Sequence, residues 1–226
     1  MNVTSLSPSE LIGLGDTLAR AMPAFDETEQ RLAVELYREL ASGEPVSTTR
    51  LAARTGLPAE EVSAILGRWP GVYRDSHEAV IGFLGLTLAE MSPHRFEVGG
   101  HQLWTWCAWD SLFIPIILGK PAHVESVCAM TGAPVSMVVT PEGVGEVSPA
   151  GAVISFLRPD REFDQDVILS FCHHVLFFSS EEAGTAWAAD RANAFLLSVE
   201  QGFALGRHVV EAKFGTALGA ALRGSV

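Results

Sequence analysis

The sequence predicts an α+β protein: an N-terminal winged-helix-like helical module, then a mixed or antiparallel sheet domain with flanking helices. Three observations predict it. Apolar residues recur at helical spacing up to about Trp69, strand-like segments cluster in the middle of the chain, and helical patterning returns near the C-terminus. At 226 residues, with 48% hydrophobic and 19% charged content, the chain is large enough to bury a substantial core. Character changes around Ser92-Pro93-His94-Arg95, which predicts a module over residues 1–93 and a catalytic α+β domain over 94–226.

Ser7-Pro8-Ser9-Glu10 is a helix start, Leu11, Leu14 and Leu18 follow at helical spacing, and Pro23 closes the segment. A second helix is expected from Asp26 to Leu40, with Leu32, Leu36 and Leu40 on one stripe and Gly43 beyond its end. A third, short helix runs to Gly56, and a fourth from Pro58 to about Trp69. Gly71 to Leu88 has the β-character of a hairpin around Asp75-Ser76-His77-Glu78. Phe96-Glu97-Val98 is expected as a strand, and His101 to Leu118 as a helix interrupted at Pro115. Strands are then expected at Ala122–Val127, Val135–Val139, Gly151–Leu157 and Val175–Phe178, with closing helices at Ser180–Asn193 and Phe195 to about Leu218.

The order of the first elements is that of a winged helix-turn-helix, which raises DNA binding. Charge argues against it. Between Asp26 and Met91 there are eleven acidic and six basic residues and no lysine, and Glu60 and Glu61 stand where a recognition helix would meet phosphate. The whole chain carries a formal net charge of −12, which disfavours nucleic acid and anionic membranes as partners. The module therefore reads as structural or lid-forming. The start lacks a basic signal-like region, its first basic residue being Arg20, and no apolar run reaches membrane-spanning length. A cytoplasmic location is expected, with the three cysteines reduced.

Chemistry concentrates at Trp106-Cys107-Ala108-Trp109-Asp110. Trp104, Trp106 and Trp109 are three of the five tryptophans, and a dry aromatic pocket raises the pKa of a thiol or a carboxyl. Asp110 is spaced to take a proton from Cys107 and return it; equally, it could cap a nearby backbone group. Cys172 lies in a second apolar run before His173 and His174. Two cysteines and a carboxylate are a plausible kit for a soft metal and a proton. A second close-spaced ligand pair, which a structural zinc site needs, is absent, and no glycine-rich elbow marks Cys107 as a hydrolase nucleophile. His173 and His174 stay unassigned, and Cys128 reads as structural.

Three blocks carry a resemblance. Trp106 to Pro115, Cys128 to Ser136 and Ser170 to Phe178 resemble, in order, the signature blocks of the organomercurial (alkylmercury) lyases. The resemblance extends from about Pro45 to Gly206. It implies that Cys107 and Cys172 are the catalytic cysteines, Asp110 the catalytic aspartate, and Cys128 a structural residue. His173 stands where some members have a further cysteine, and Leu176 where some have histidine.

The implied reaction is protonolysis of R–Hg⁺ to R–H and Hg(II), in mercury detoxification. Mercury is then substrate and product, held by Cys107, Cys172 and Asp110, and no cofactor is implied. Implied partners are organomercurial small molecules, low-molecular-weight thiols needed for turnover and possible transfer to a mercuric reductase. Two rivals are a metal-responsive winged-helix regulator, opposed by the acidic module, and a non-catalytic metal-binding protein, which would need no proton donor at Asp110.

Overall fold

Each of the first three helices begins at a side chain that supplies a hydrogen bond its first turn lacks. The computed structural model describes residues 6–157, 171–191 and 193–223. In α1 (Pro8–Ala21) Ser7 and Glu10 form a reciprocal capping box, and in α2 (Glu27–Leu40) Asp26 and Glu29 do the same. Ser47 caps α3 (Thr48–Thr55), whereas α4 (Ala59–Arg68) follows Pro58 without a side-chain cap. Leu32, Leu36 and Leu40 are fully buried, as their spacing predicts. Glu39 is buried too, and it is paired: Arg50 and Arg54 of α3 both bind its carboxylate, Arg54 Nε at 2.7 Å. Arg68 of α4 reaches Glu29 at 2.5 Å, so both helices are tied to α2.

Eight strands form one antiparallel sheet. They are β1 (Val72–Arg74), β2 (Val80–Phe83), β3 (Leu86–Thr87), β4 (Arg95–Val98), β5 (His101–Thr105), β6 (Ala122–Val127), β7 (Pro134–Val139) and β8 (Val144–Ser148), in the order β1-β2-β3-β5-β4-β6-β7-β8. The sheet crosses residue 93, because β3 pairs with β5, with Leu86 opposite Thr105 and Thr87 opposite Trp104. A second antiparallel sheet has the order β10-β9-β11, from β9 (Val153–Leu157), β10 (Phe177–Phe178) and β11 (Ala194–Ser198).

Among the described residues, the remaining α-helices are α5 (Asp110–Leu118), α6 (Glu181–Ala188) and α7 (Val199–Arg223). Almost every residue of α5 is buried; its apolar run Leu112 to Leu118 requires this, while Asp110 and Ser111 are buried polar residues at its start. The long α7 packs against α1, α2 and α5. Its approach to α5 depends on Gly206, where a Cβ would stand 2.7 Å from the Phe113 Cβ. Among the described residues, no helix is long and apolar enough to cross a membrane.

Three expectations need correction. The helix expected from His101 starts only at Asp110, because His101–Thr105 is β5, paired along its length with β4 across the Gly99-Gly100 turn. The helix expected from Phe195 starts at Val199, because Ala194–Ser198 pairs with β9. Both runs lack a decisive period; the hairpin closed by Gly99-Gly100 decides the first, and long-range pairing with β9 the second. Strand β8 was not anticipated. The apolar run Ile168 to Ser170 lies outside the described residues.

Candidate active site

The site forms where β5 turns into α5. The turn Trp106-Cys107-Ala108-Trp109 is held by short bonds: the Thr105 hydroxyl donates to the Cys107 carbonyl (2.9 Å) and the Ser111 hydroxyl to that of Ala108 (2.6 Å). Asp110, the first residue of α5, folds back so that Oδ2 accepts the Cys107 N–H at 2.8 Å. The two residues therefore meet across a turn, with Cys107 before the helix and not inside it as a helix from His101 would have placed it. Trp109 anchors the helix start by donating from its indole to the Gly202 carbonyl of α7 at 3.0 Å.

Cys172 arrives on a single 3-10 turn, Cys172–His174, between Phe171 and Val175. The Ala108 N–H donates to the Val175 carbonyl at 3.1 Å, tying this turn to the Cys107 turn. Ser155 of β9 holds it from the other side, donating to the His174 carbonyl at 2.7 Å. The ligand atoms of Cys107, Asp110 and Cys172 all lie within 4.8 Å of one another, and all three residues are buried. Cys128 belongs to the β6–β7 turn and is not in this group, nor are His173 and His174.

Burial dominates the electrostatics. It raises the Asp110 carboxyl to about 7, against the opposing pull of its two hydrogen bonds with Cys107. Burial pushes the Cys107 thiol well up, reinforced by its hydrogen bond with Cys172 and the Asp110 charge. At Cys172 the hydrogen bond from Cys107 favours the thiolate, but burial and the Asp110 charge outweigh it, and the net direction is upward. The three groups thus form one buried cluster in which burial opposes the ionisation of each.

Cys172 and Asp110 open onto a pocket walled by Met22, Pro23, Pro70, Leu84, Gly85, Trp106, Trp109, Phe113 and Phe171. Its walls are almost wholly apolar. Trp104, half-buried on β5, is not part of them.

The alkylmercury lyase (MerB) family model matches residues 86–211, more than half of the chain. The chain is 43% identical over 182 residues to an alkylmercury lyase of Pseudomonas putida, covering 80% of this chain and 84% of that one. It is 42% identical over 195 residues to one of Staphylococcus epidermidis, covering 84% and 88%. The chain belongs to the alkylmercury lyase family.

A crystal structure of the mercury-bound form of MerB2 matches with a TM-score of 0.70 at 22% identity, over 90% of this chain and 98% of that one, which establishes likeness of fold. In this alkylmercury lyase family member, sequence reasoning missed the part of the pocket wall that comes from before residue 93. Met22, Pro23, Pro70, Leu84 and Gly85 carry no motif; only the lid-forming reading of the module hinted at them.

Proposed function

We propose that this chain is an organomercurial lyase that cleaves carbon–mercury bonds by protonolysis, with Cys107, Cys172 and Asp110 as the reacting groups. The observation that carries the proposal is the convergence of two buried thiols and one buried carboxyl within 4.8 Å. Mercury(II) is soft, so thiolates outcompete oxygen and nitrogen ligands for it.

The substrate enters as R–Hg–SR′, carried by a low-molecular-weight thiol. Cys172 faces the pocket and takes the mercury first, its thiol proton leaving on R′SH. Cys107 then gives its proton to Asp110, and its thiolate adds to mercury. Extra electron density flows onto carbon, and Asp110 delivers its proton there. The products are R–H and Hg(II) bound by two cysteines, with Asp110 again a carboxylate. An acid with a pKa of about 7 is suited to both halves of that exchange. The apolar walls exclude water and suit a hydrocarbon R group.

This reaction needs no resident cofactor; mercury is substrate and product. Two free thiols would strip the Hg(II) for turnover, and a mercuric reductase is the expected acceptor. Neither nucleic acid nor a membrane has a part in it, and we place it in the cytoplasm. Residues 1–93 are proposed as a winged-helix-like module whose connecting segments, at Met22-Pro23, Pro70 and Leu84-Gly85, wall the pocket. The division at residues 1–93 and 94–226 is one of labour rather than of cores, since the sheet runs across it. A regulator or a passive metal binder is not favoured, since neither needs a proton donor between its thiols. Incubation with methylmercury or phenylmercury and excess thiol should release methane or benzene; organomercurial left intact after long incubation would defeat the proposal.

A further inference from the structure

The Asp110 carboxyl is confined by more than its own helix. The β2–β3 turn, Leu84-Gly85, lies directly against it: a Cβ on Gly85 would stand 2.6 Å from both Cγ and Oδ1 of Asp110, and 3.0 Å from its Cβ. Gly85 has φ +103, and Leu84 beside it has φ +31, a region that non-glycine residues occupy only under restraint. Three hydrogen bonds restrain this turn. The Leu84 N–H donates to the Gly71 carbonyl at 3.2 Å and the Trp106 N–H to the Gly85 carbonyl at 2.9 Å. The third is the Tyr37 hydroxyl of α2, which donates to the Leu84 carbonyl at 2.7 Å.

Tyr37 is fully buried, its ring set against Phe83 and Phe214. Burial, and then the charge on Asp110, push its hydroxyl well above the ordinary tyrosine range, so it remains a donor. Glycine at this point serves twice: it meets the positive φ that the turn requires, and it leaves free the space that the Asp110 carboxyl fills. Leu84 and Gly85 also line the pocket, so any movement of the turn alters the space in which carbon meets its acid.

Resting on the lyase reading above, we infer that Gly85 and Tyr37 are positioning residues for the proton transfer. Gly85 leaves the room that the Asp110 carboxyl occupies, and Tyr37 clamps the turn that closes that room. Displacing a reacting group by about an ångström costs on the order of a hundredfold in rate, whereas the first capture of mercury, by Cys172 with its proton leaving on R′SH, does not call on the carboxyl.

The test compares the wild type with Tyr37→Phe, which keeps the ring, and Gly85→Ala, which fills the room. Leu36→Val, buried on the same helix and without a hydrogen bond to the turn, controls for lost stability. Phenylmercury binding is measured by equilibrium dialysis, and kcat and KM by benzene release with excess thiol. Both variants should bind one phenylmercury with KM within about twofold of wild type, while kcat falls roughly tenfold for Tyr37→Phe and a hundredfold for Gly85→Ala. Leu36→Val should keep the wild-type kcat. If Gly85→Ala does not fold, Tyr37→Phe decides alone. An active wild type with kcat unchanged in Tyr37→Phe, or lowered equally in Leu36→Val, overturns this inference only. A wild type that binds phenylmercury and never releases benzene overturns the lyase reading and this inference with it.

Discussion

Asp110 accepts the Cys107 N–H at 2.8 Å, so the residue proposed to carry the proton also closes the turn that carries the thiol. A backbone cap and a proton carrier are usually weighed as alternatives for such a carboxylate. Here the geometry serves both: Oδ2 accepts the backbone N–H, the carboxyl lies within 4.8 Å of both cysteine sulfurs, and the residue lines the pocket. The cap fixes the carboxyl while burial raises its proton affinity.

Removing either sulfur of the cluster should leave the fold and abolish the reaction. In Cys107→Ser and Cys172→Ser, turnover should fall on the order of a thousandfold or more, since groups that act as a unit fail together. Benzene release from phenylmercury under excess thiol measures it. Retention of even a tenth of the wild-type rate in either variant would remove that cysteine from the mechanism.

Cys128 should behave differently. Although covered from solvent, it lies shallow in the β6–β7 turn. Against the cost of burial, hydrogen bonds from Ser179, Thr131 and Met130 bring its thiol down to about 6. These bonds stabilise the turn, and Cys128 stands outside the cluster of reacting groups. Cys128→Ala should keep turnover within about twofold and lose about 1–2 kcal/mol in urea unfolding. Lost turnover in a folded, stable Cys128→Ala would return this residue to the reaction.

Two buried groups should give stability opposite pH slopes. Asp110 has its folded pKa raised, to about 7, so its contribution is fully present below the unfolded value of 3.8 and is lost as pH rises toward 7. His94, buried with its Nδ1 2.8 Å from the Ser126 hydroxyl, has its folded pKa lowered by burial to about 4. Its contribution is present above 6.5 and is lost as pH falls toward 4. Each slope should be worth on the order of a few kcal/mol. Urea unfolding from pH 4 to 8 should show Asp110→Asn gaining on the wild type as pH rises, and His94→Gln gaining as it falls. Parallel profiles for all three proteins would contradict the assignment.

Much of this was legible in the sequence wherever the cause was local. Capping residues such as Ser7, Asp26 and Ser47 announce helices within four residues of themselves, and α1 to α4 fell where expected. Ala194–Ser198 takes its strand character from β9, a distant partner that no local pattern names, whereas His101–Thr105 follows the Gly99-Gly100 pair, a local hairpin signal that the helical reading passes over. The site divides in the same way. Cys107, Asp110 and Cys172 stood out by residue type and by their blocks. Tyr37 looks like any core residue of an amphipathic helix, and Gly85 like any turn glycine. Their part arises only when α2 and the β2–β3 turn close on Asp110.

The central claim is that the proton reaching carbon comes from Asp110 while two cysteines hold mercury. It is tested most directly by a single turnover of one equivalent of phenylmercury on reduced protein without added thiol, with benzene and protein-bound mercury both counted. Wild type should release one benzene per chain and retain one Hg(II), and Asp110→Asn should retain phenylmercury and release on the order of a thousandfold less benzene over the same time. Benzene released by Asp110→Asn at the wild-type rate would contradict the account.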